Sequence, residues 1–252
     1  MNTPTRRQVL TVAGGLGTAL VPGLASAADE RTQPARLKII VTGGHPGDPE
    51  YGCGGTISRY TDLGHDVVLL YLNRGEWPPS TEPNAGTSRM AEAEAACDIL
   101  KARSLYAGHA NSKAVVDADH YASFRKILEA ERPNIVFTHW PIDNHADHRA
   151  ISMLVYDAWL KLGKTFALYY YEVSPGEDTL QFTPTHYVDI TTTEPRKRQA
   201  CYAHASQTPD RYYALQEHVT RMRGIESGHR HAEAYIRHIQ SPDFALPLVE
   251  RL

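Results

Sequence analysis

A histidine and an aspartate, His45 and Asp48, lie close together in the stretch Thr42-Gly-Gly-His45-Pro-Gly-Asp48-Pro-Glu50-Tyr-Gly-Cys-Gly-Gly-Thr56. An imidazole and a carboxylate about one turn apart can begin a divalent-metal site, and such a site can activate water for hydrolysis. A catalytic zinc usually takes three protein ligands plus a water, so the chain has to supply a third. The obvious source is His139-Trp-Pro-Ile-Asp143-Asn-His145-Ala-Asp147-His148, which carries three further imidazoles and two carboxylates.

The elements around these stretches explain how they could meet. The run Leu37-Lys-Ile-Ile-Val41 precedes the first and Asn134-Ile-Val-Phe-Thr138 precedes the second. Both are β-branched and apolar, as strands of a parallel sheet buried on both faces are. Each stretch then leads into helical spacing, over Gly54 to Leu63 after the first, so both read as strand-to-helix loops. Loops at the carboxyl ends of parallel strands share one crevice even when about a hundred residues separate them. Strands alternate with helices along the chain, which predicts a Rossmann-like three-layer α/β/α sandwich with a mostly parallel sheet. A dinucleotide site is not expected, because G-x-G-x-x-G is absent and a histidine and an acid stand where a pyrophosphate would bind.

H-P-x-D followed by G-G in the first loop, and H-x-D-H in the second, resemble the PIG-L/LmbE deacetylases, zinc-dependent enzymes that remove the acetyl group from N-acetylglucosamine units. The resemblance runs from about Lys38 to the last helices. It implies His45, Asp48 and His148 as ligands of Zn2+ or another divalent metal. It also implies His145 as the group that assists the anionic intermediate or the departing amine, with Asp147 orienting a histidine. Glu76 in Asn73-Arg-Gly-Glu76 and Asn111 fall on family positions that contact the sugar, and Arg89, in an alanine-rich helix that starts at Ser88, falls on one where it either contacts substrate or pairs with a first-turn glutamate. His204-Ala-Ser-Gln207, Arg223-Gly224 and Ala232-Glu233-Ala-Tyr235 resemble elements that close or support the site.

The chain departs from the family at one position. Most members read His-Pro-Asp-Asp, and the first aspartate is the general base; here it is Gly47. A lost positioned base costs roughly a hundredfold to ten-thousandfold in rate. Asp143, Asp147 and Glu50 are near enough in sequence to replace it. Otherwise metal-bound hydroxide acts alone, or the protein binds sugars without cleaving them. The expected function is an exported N-deacetylase of a small-molecule or glycan amino-sugar compound. The alternatives are a catalytically weak carbohydrate-binding protein and a hydrolase of another amide or an ester.

The 252 residues suffice for one domain with a substantial core, and the net charge of −3 with scattered basic residues argues against a nucleic-acid surface. Cys53, Cys97 and Cys201 cannot all pair and form no Cys-x-x-Cys, so they read as small buried residues. Residues 1–27 read as a twin-arginine signal: Thr5-Arg6-Arg7-Gln8-Val9-Leu10, a mild apolar stretch, then Ala25-Ser26-Ala27 as the cleavage site. That implies a bacterial protein exported to the periplasm or beyond, with residues 28–252 as the deacetylase domain and no stable membrane insertion after cleavage. Trp77 to Thr87 reads as a polar loop at the pocket rim. His65 and the pair His229 and His231 read as non-ligands.

Overall fold

In a computed structural model of the chain, the described residues are 36–76, 85–244 and 246. The expected signal segment, and residues 77–84 of the expected rim loop, lie outside them. Seven strands form one sheet in the order β3-β2-β1-β4-β5-β7-β6. The strands are β1 (Lys38–Gly43), β2 (Asp66–Tyr71), β3 (Arg103–Tyr106), β4 (Ile135–His139), β5 (Ala167–Tyr171), β6 (His186–Asp189) and β7 (Ala232–Arg237). β1 through β5 pair in parallel, while β7 runs antiparallel to both β5 and β6. The expected mostly parallel sandwich is therefore the observed one.

Alternate residues of each strand enter opposite cores, as the period of two requires. Ile39, Val41, Leu69, Tyr71 and Phe137 pack under α1 (Asp48–Asp62), α2 (Ala85–Leu100) and α5 (Glu194–Tyr202). Ile40, Val68, Leu70 and Val136 pack under α3 (Ala118–Glu131) and α4 (Ala146–Lys161). α6 (Pro209–Ser227) lies over β7 and α5. Two glycines let α1 approach closely: a Cβ at Gly52 would meet the Tyr171 ring at 2.3 Å, and one at Gly55 would meet Ile190 at 2.5 Å. The three cysteines are buried and free, as read from the sequence.

Two expected boundaries shift. The first helix begins at Asp48 rather than Gly54, so the aspartate of the first motif is itself a helical residue. α2 begins at Ala85, ahead of the expected Ser88.

A buried ion pair ties α1 to α5 and β7. Lys197 is fully buried and its Nζ is 2.6 Å from Glu233 Oε1. Glu233 also accepts from the backbone N–H groups of Gly55 (2.9 Å) and Thr56 (2.8 Å). Removing one partner of such a pair strands the other charge and costs about 3–5 kcal/mol. Lys197→Ala is therefore expected to lower Tm by roughly 6–20 °C at two to four degrees per kcal/mol; a shift under a few degrees in a thermal melt would contradict this.

Candidate metal and catalytic site

β1 and β4 are neighbours at the point where the strand order reverses, which brings their carboxyl-end loops together. His45 lies between β1 and α1, His139 ends β4, His145 is the N-cap of α4, and His148 stands in that helix's first turn. The centre of the cluster is one oxygen. Asp48 Oδ2 is 3.2 Å from His139 Nε2, 3.2 Å from His148 Nε2 and 3.3 Å from His45 Nδ1, and it accepts the His45 backbone N–H at 2.8 Å. Burial works against the Asp48 charge, but His148, His139 and His45 outweigh it and hold the carboxyl well below its usual range.

Two of these rings are anchored from behind. His45 Nε2 is 3.1 Å from Asp147 Oδ2, and His148 Nδ1 is 3.1 Å from Asp143 Oδ1. Asp147 Oδ2 also accepts from Asn73 Nδ2 at 2.9 Å and the Ser112 N–H at 2.8 Å. Asp143 accepts from the His145 N–H at 2.8 Å and the Thr179 hydroxyl at 3.0 Å. Each ring thus has one nitrogen fixed by a carboxylate and the other directed at Asp48, the arrangement by which proteins orient metal-binding histidines.

The donor chemistry fits a divalent cation. Two sets, His45 with His145 and His148, and Asp48 with His139 and His148, bring their ligand atoms within 4.8 Å of one another. Imidazole and carboxylate donors suit zinc. Charge fits as well: burial opposes a charged His148, yet Asp48 and Asp143 on either side raise its pKa to about 10. The cluster stabilises positive charge at the place where an ion would sit.

His139, which the second motif contains without pointing to a role for it, joins the cluster as a candidate donor beside Asp48 and His148. It is fully buried, stacks on His148 with centroids 3.9 Å apart, and accepts the Gly44 N–H on Nε2 at 3.1 Å. Burial, with His148 alongside, lowers its pKa to about 4, so it stays neutral beside the cluster. Its place as the last residue of a buried strand was the available signal.

A cavity of about 220 Å³ opens over the cluster. His45, Gly47, Asp48, Arg89, Asn111, His145 and His148 all line it. The expected substrate residues are thus split: Arg89 and Asn111 reach the cavity, and Glu76 is not among its described lining residues. Instead the Glu76 backbone carbonyl accepts from Asn111 Nδ2, and its Oε1 accepts the Asn111 N–H at 3.4 Å, so it holds the Asn111 loop. Arg89 is 7% exposed, donates from Nη2 to the Pro46 carbonyl, holds Nη1 3.5 Å from Glu92 Oε2 in an ion pair along α2, and keeps Nε without a hydrogen-bond partner. His65 Nδ1 only accepts the Leu37 N–H, consistent with its reading as a non-ligand.

The three carboxylates named from the sequence as replacements for the missing base are all engaged elsewhere. Asp143 and Asp147 lie behind His148 and His45. Glu50 is fully buried, accepting from the Gly47 N–H at 3.1 Å and from Tyr71 Oη at 2.7 Å, with His204 Nε2 at 2.9 Å. None of the three lines the cavity. Asp143, expected to be catalytic, faces His148 Nδ1 and the Thr179 hydroxyl rather than the cavity, a placement that suits an orienting group. Asp143→Asn should weaken metal affinity by about 10–100-fold, as loss of such partners does; a competition titration against a chelating dye measures it, and unchanged affinity would refute the orienting role.

The profile of the family "PIG-L: GlcNAc-PI de-N-acetylase" matches residues 40–159, which contain both motif loops. The diacetylchitobiose deacetylase of Thermococcus kodakarensis is 28% identical over 219 residues, covering 78% of this chain and 81% of that one. Among solved structures, a conserved protein from Thermus thermophilus superposes with a TM-score of 0.72 at 26% identity, over 85% of this chain and 100% of that one. The 4-carboxy-2-hydroxymuconate hydratase of Pseudomonas putida superposes with a TM-score of 0.71 at 21% identity, over 83% and 99%. The last shows that the fold alone does not name the reaction.

Proposed function

We propose, from the match of residues 40–159 to the PIG-L family model and the likeness to a diacetylchitobiose deacetylase, that this chain is a metal-dependent hydrolase that removes the N-acetyl group from an N-acetylglucosamine-type compound. The observation that carries the reading is the convergence of His45 Nδ1 and His148 Nε2 on Asp48 Oδ2, with Asp147 and Asp143 fixing the far side of each ring. These three residues would hold the ion, zinc by donor type. A bound zinc supplies Lewis acidity at the amide carbonyl and lowers the pKa of water from 15.7 to about 7.

The chain's own residues do the rest. His145 lines the cavity and presents a neutral imidazole to the developing oxyanion. Arg89, whose Nε has no hydrogen-bond partner, and Asn111 line the same cavity and would offer donors and an amide to sugar hydroxyls. The first 27 residues support export by the twin-arginine route, which suits a protein that folds around its metal before leaving the cytoplasm.

The test is metal content of the purified protein together with amine release from a panel of N-acetylglucosamine compounds, with and without chelator. One zinc per chain and chelator-sensitive release are expected. Metal-free protein that still releases amine would refute the metal role; zinc-loaded protein inert on the whole panel would refute the deacetylase. In that second case Gly47 favours the reading of a metal-containing sugar-binding protein, and ester analogues of the same compounds would separate it from a hydrolase of another acyl bond.

A further inference from the structure

Deacetylation at this site needs a proton acceptor for the attacking water, and Gly47 has no side chain to serve. Of the described residues lining the cavity, the carboxylates are Asp48 and Asp178. Asp48 is committed to the imidazole cluster, and Asp143, Asp147 and Glu50 are turned away from the cavity. Asp178 lies between β5 and β6, in a segment that no sequence motif marked.

That segment is fastened to the second motif loop. The Asn144 N–H donates to the Asp178 carbonyl at 2.9 Å, and Asn144 Nδ2 donates to the Glu177 carbonyl at 2.8 Å. The Leu180 N–H donates to the Ile142 carbonyl at 3.0 Å, and Thr179 Oγ1 donates to Asp143 Oδ2 at 3.0 Å. The same Asp143 that orients His148 therefore also anchors the residue next to Asp178. The Asp178 side chain is delivered by backbone contacts that do not depend on its carboxylate. Ser174 and Val173 line the cavity beside it.

We propose that Asp178 is the proton acceptor for the attacking water in this chain, in place of the aspartate that the family pattern puts at position 47. The inference rests on the deacetylase reading. Its environment agrees: burial raises the carboxyl's pKa, Asp143 and Asp48 add to the rise, and His148 and Ser174 oppose it, so the group is a stronger base than an exposed aspartate. In the step assigned to it, the water oxygen bonds to the amide carbon while one water proton passes to Asp178. The carbonyl electron pair moves onto oxygen. On collapse that pair returns, the carbon–nitrogen bond breaks, and the nitrogen takes the proton from Asp178. The sum is amide plus water to acetic acid and the sugar's free amine, which then exchange one proton to give acetate and the sugar's ammonium, with Asp178 returned to its carboxylate.

The experiment compares zinc-loaded wild type, Asp178→Asn and Asp178→Glu on whichever N-acetylglucosamine compound the wild type cleaves. Asp178→Asn keeps shape and backbone contacts, so zinc content and KM should hold while kcat falls about a hundredfold to ten-thousandfold, the range for a lost general base. Asp178→Glu should retain most of the lost activity. Gly47→Asp added to Asp178→Asn should restore part of the rate, because a Cβ at Gly47 meets nothing closer than 3.8 Å, although its φ of 113° strains any side-chain-bearing residue. A kcat for Asp178→Asn within about tenfold of wild type, below the general-base range, overturns the inference and leaves the deacetylase intact. A wild type that cleaves nothing overturns the deacetylase and the inference with it.

Discussion

His148→Ala is expected to abolish zinc binding and to lower deacetylation by about a thousandfold or more, since a Lewis acid worth several kcal/mol is lost and each 1.36 kcal/mol is tenfold. His148 holds more of the site than any other residue. Its Nε2 faces Asp48, its Nδ1 faces Asp143, and its ring stacks on both His139 and His145. Without the ring, Asp48 and Asp143 face each other's charge across an emptied space, so the variant should also melt lower than wild type without metal. The comparison separates ligation from folding. Wild type treated with chelator should lose activity while keeping its fold, and zinc restored at a hundred times Kd should add about 2.7 kcal/mol, or roughly 5–10 °C in Tm. His148→Ala should show no such zinc-dependent rise. A variant that still binds one zinc per chain and melts higher with it would show that the ion lies elsewhere.

What the sequence revealed, and what it hid, follows from how far the controlling interactions reach. β1 and β4 were legible because both faces of each are buried, and burial on both faces leaves an unbroken apolar run. The residues proposed as ligands sit in the loops and first helical turns that follow those runs, so strand ends pointed to them. β7 was hidden because its polar member points inward: Glu233 is buried, satisfied by Lys197 and by the α1 backbone, so the alternation that marks a strand misleads. α1 was legible only in its second half, because Pro49, Gly52, Gly54 and Gly55 are poor helix formers, tolerated here where the helix must lie against Tyr171, Lys197 and Ile190. Asp178 was hidden for a third reason. It reaches the cavity through an antiparallel bridge between Asp143 and Thr179, and no local pattern encodes a pairing across that distance. Among the carboxylates, sequence proximity pointed to Asp143, Asp147 and Glu50, and each proved to be turned toward a partner of its own.

His145→Ala carries the second large effect, and its size depends on the tautomer. The Asp147 backbone N–H can only donate, and it donates to His145 Nδ1 at 3.2 Å as part of the α4 cap. Nδ1 is therefore an acceptor, and in the neutral ring the hydrogen is on Nε2. Burial lowers the pKa of His145, and the neighbouring His45 and His148 lower it further. The ring thus stays neutral below the ordinary histidine value of about 6.5 and acts as a fixed N–H donor rather than as an imidazolium acid. Losing one donor to an oxyanion costs about a hundredfold to a thousandfold in kcat. His145→Ala should show that loss with KM nearly unchanged and zinc still bound, because His45, Asp48 and His148 keep their contacts. The pH sign follows: protonation of His145 cannot limit the rate until the pH falls below its lowered pKa, so the acid limb of the wild-type kcat profile should not fall at 6.5 on account of this residue. If His145→Ala instead removed an acid limb near 6.5, the ring would be charged in the working enzyme and the donor role would give way to an acid role.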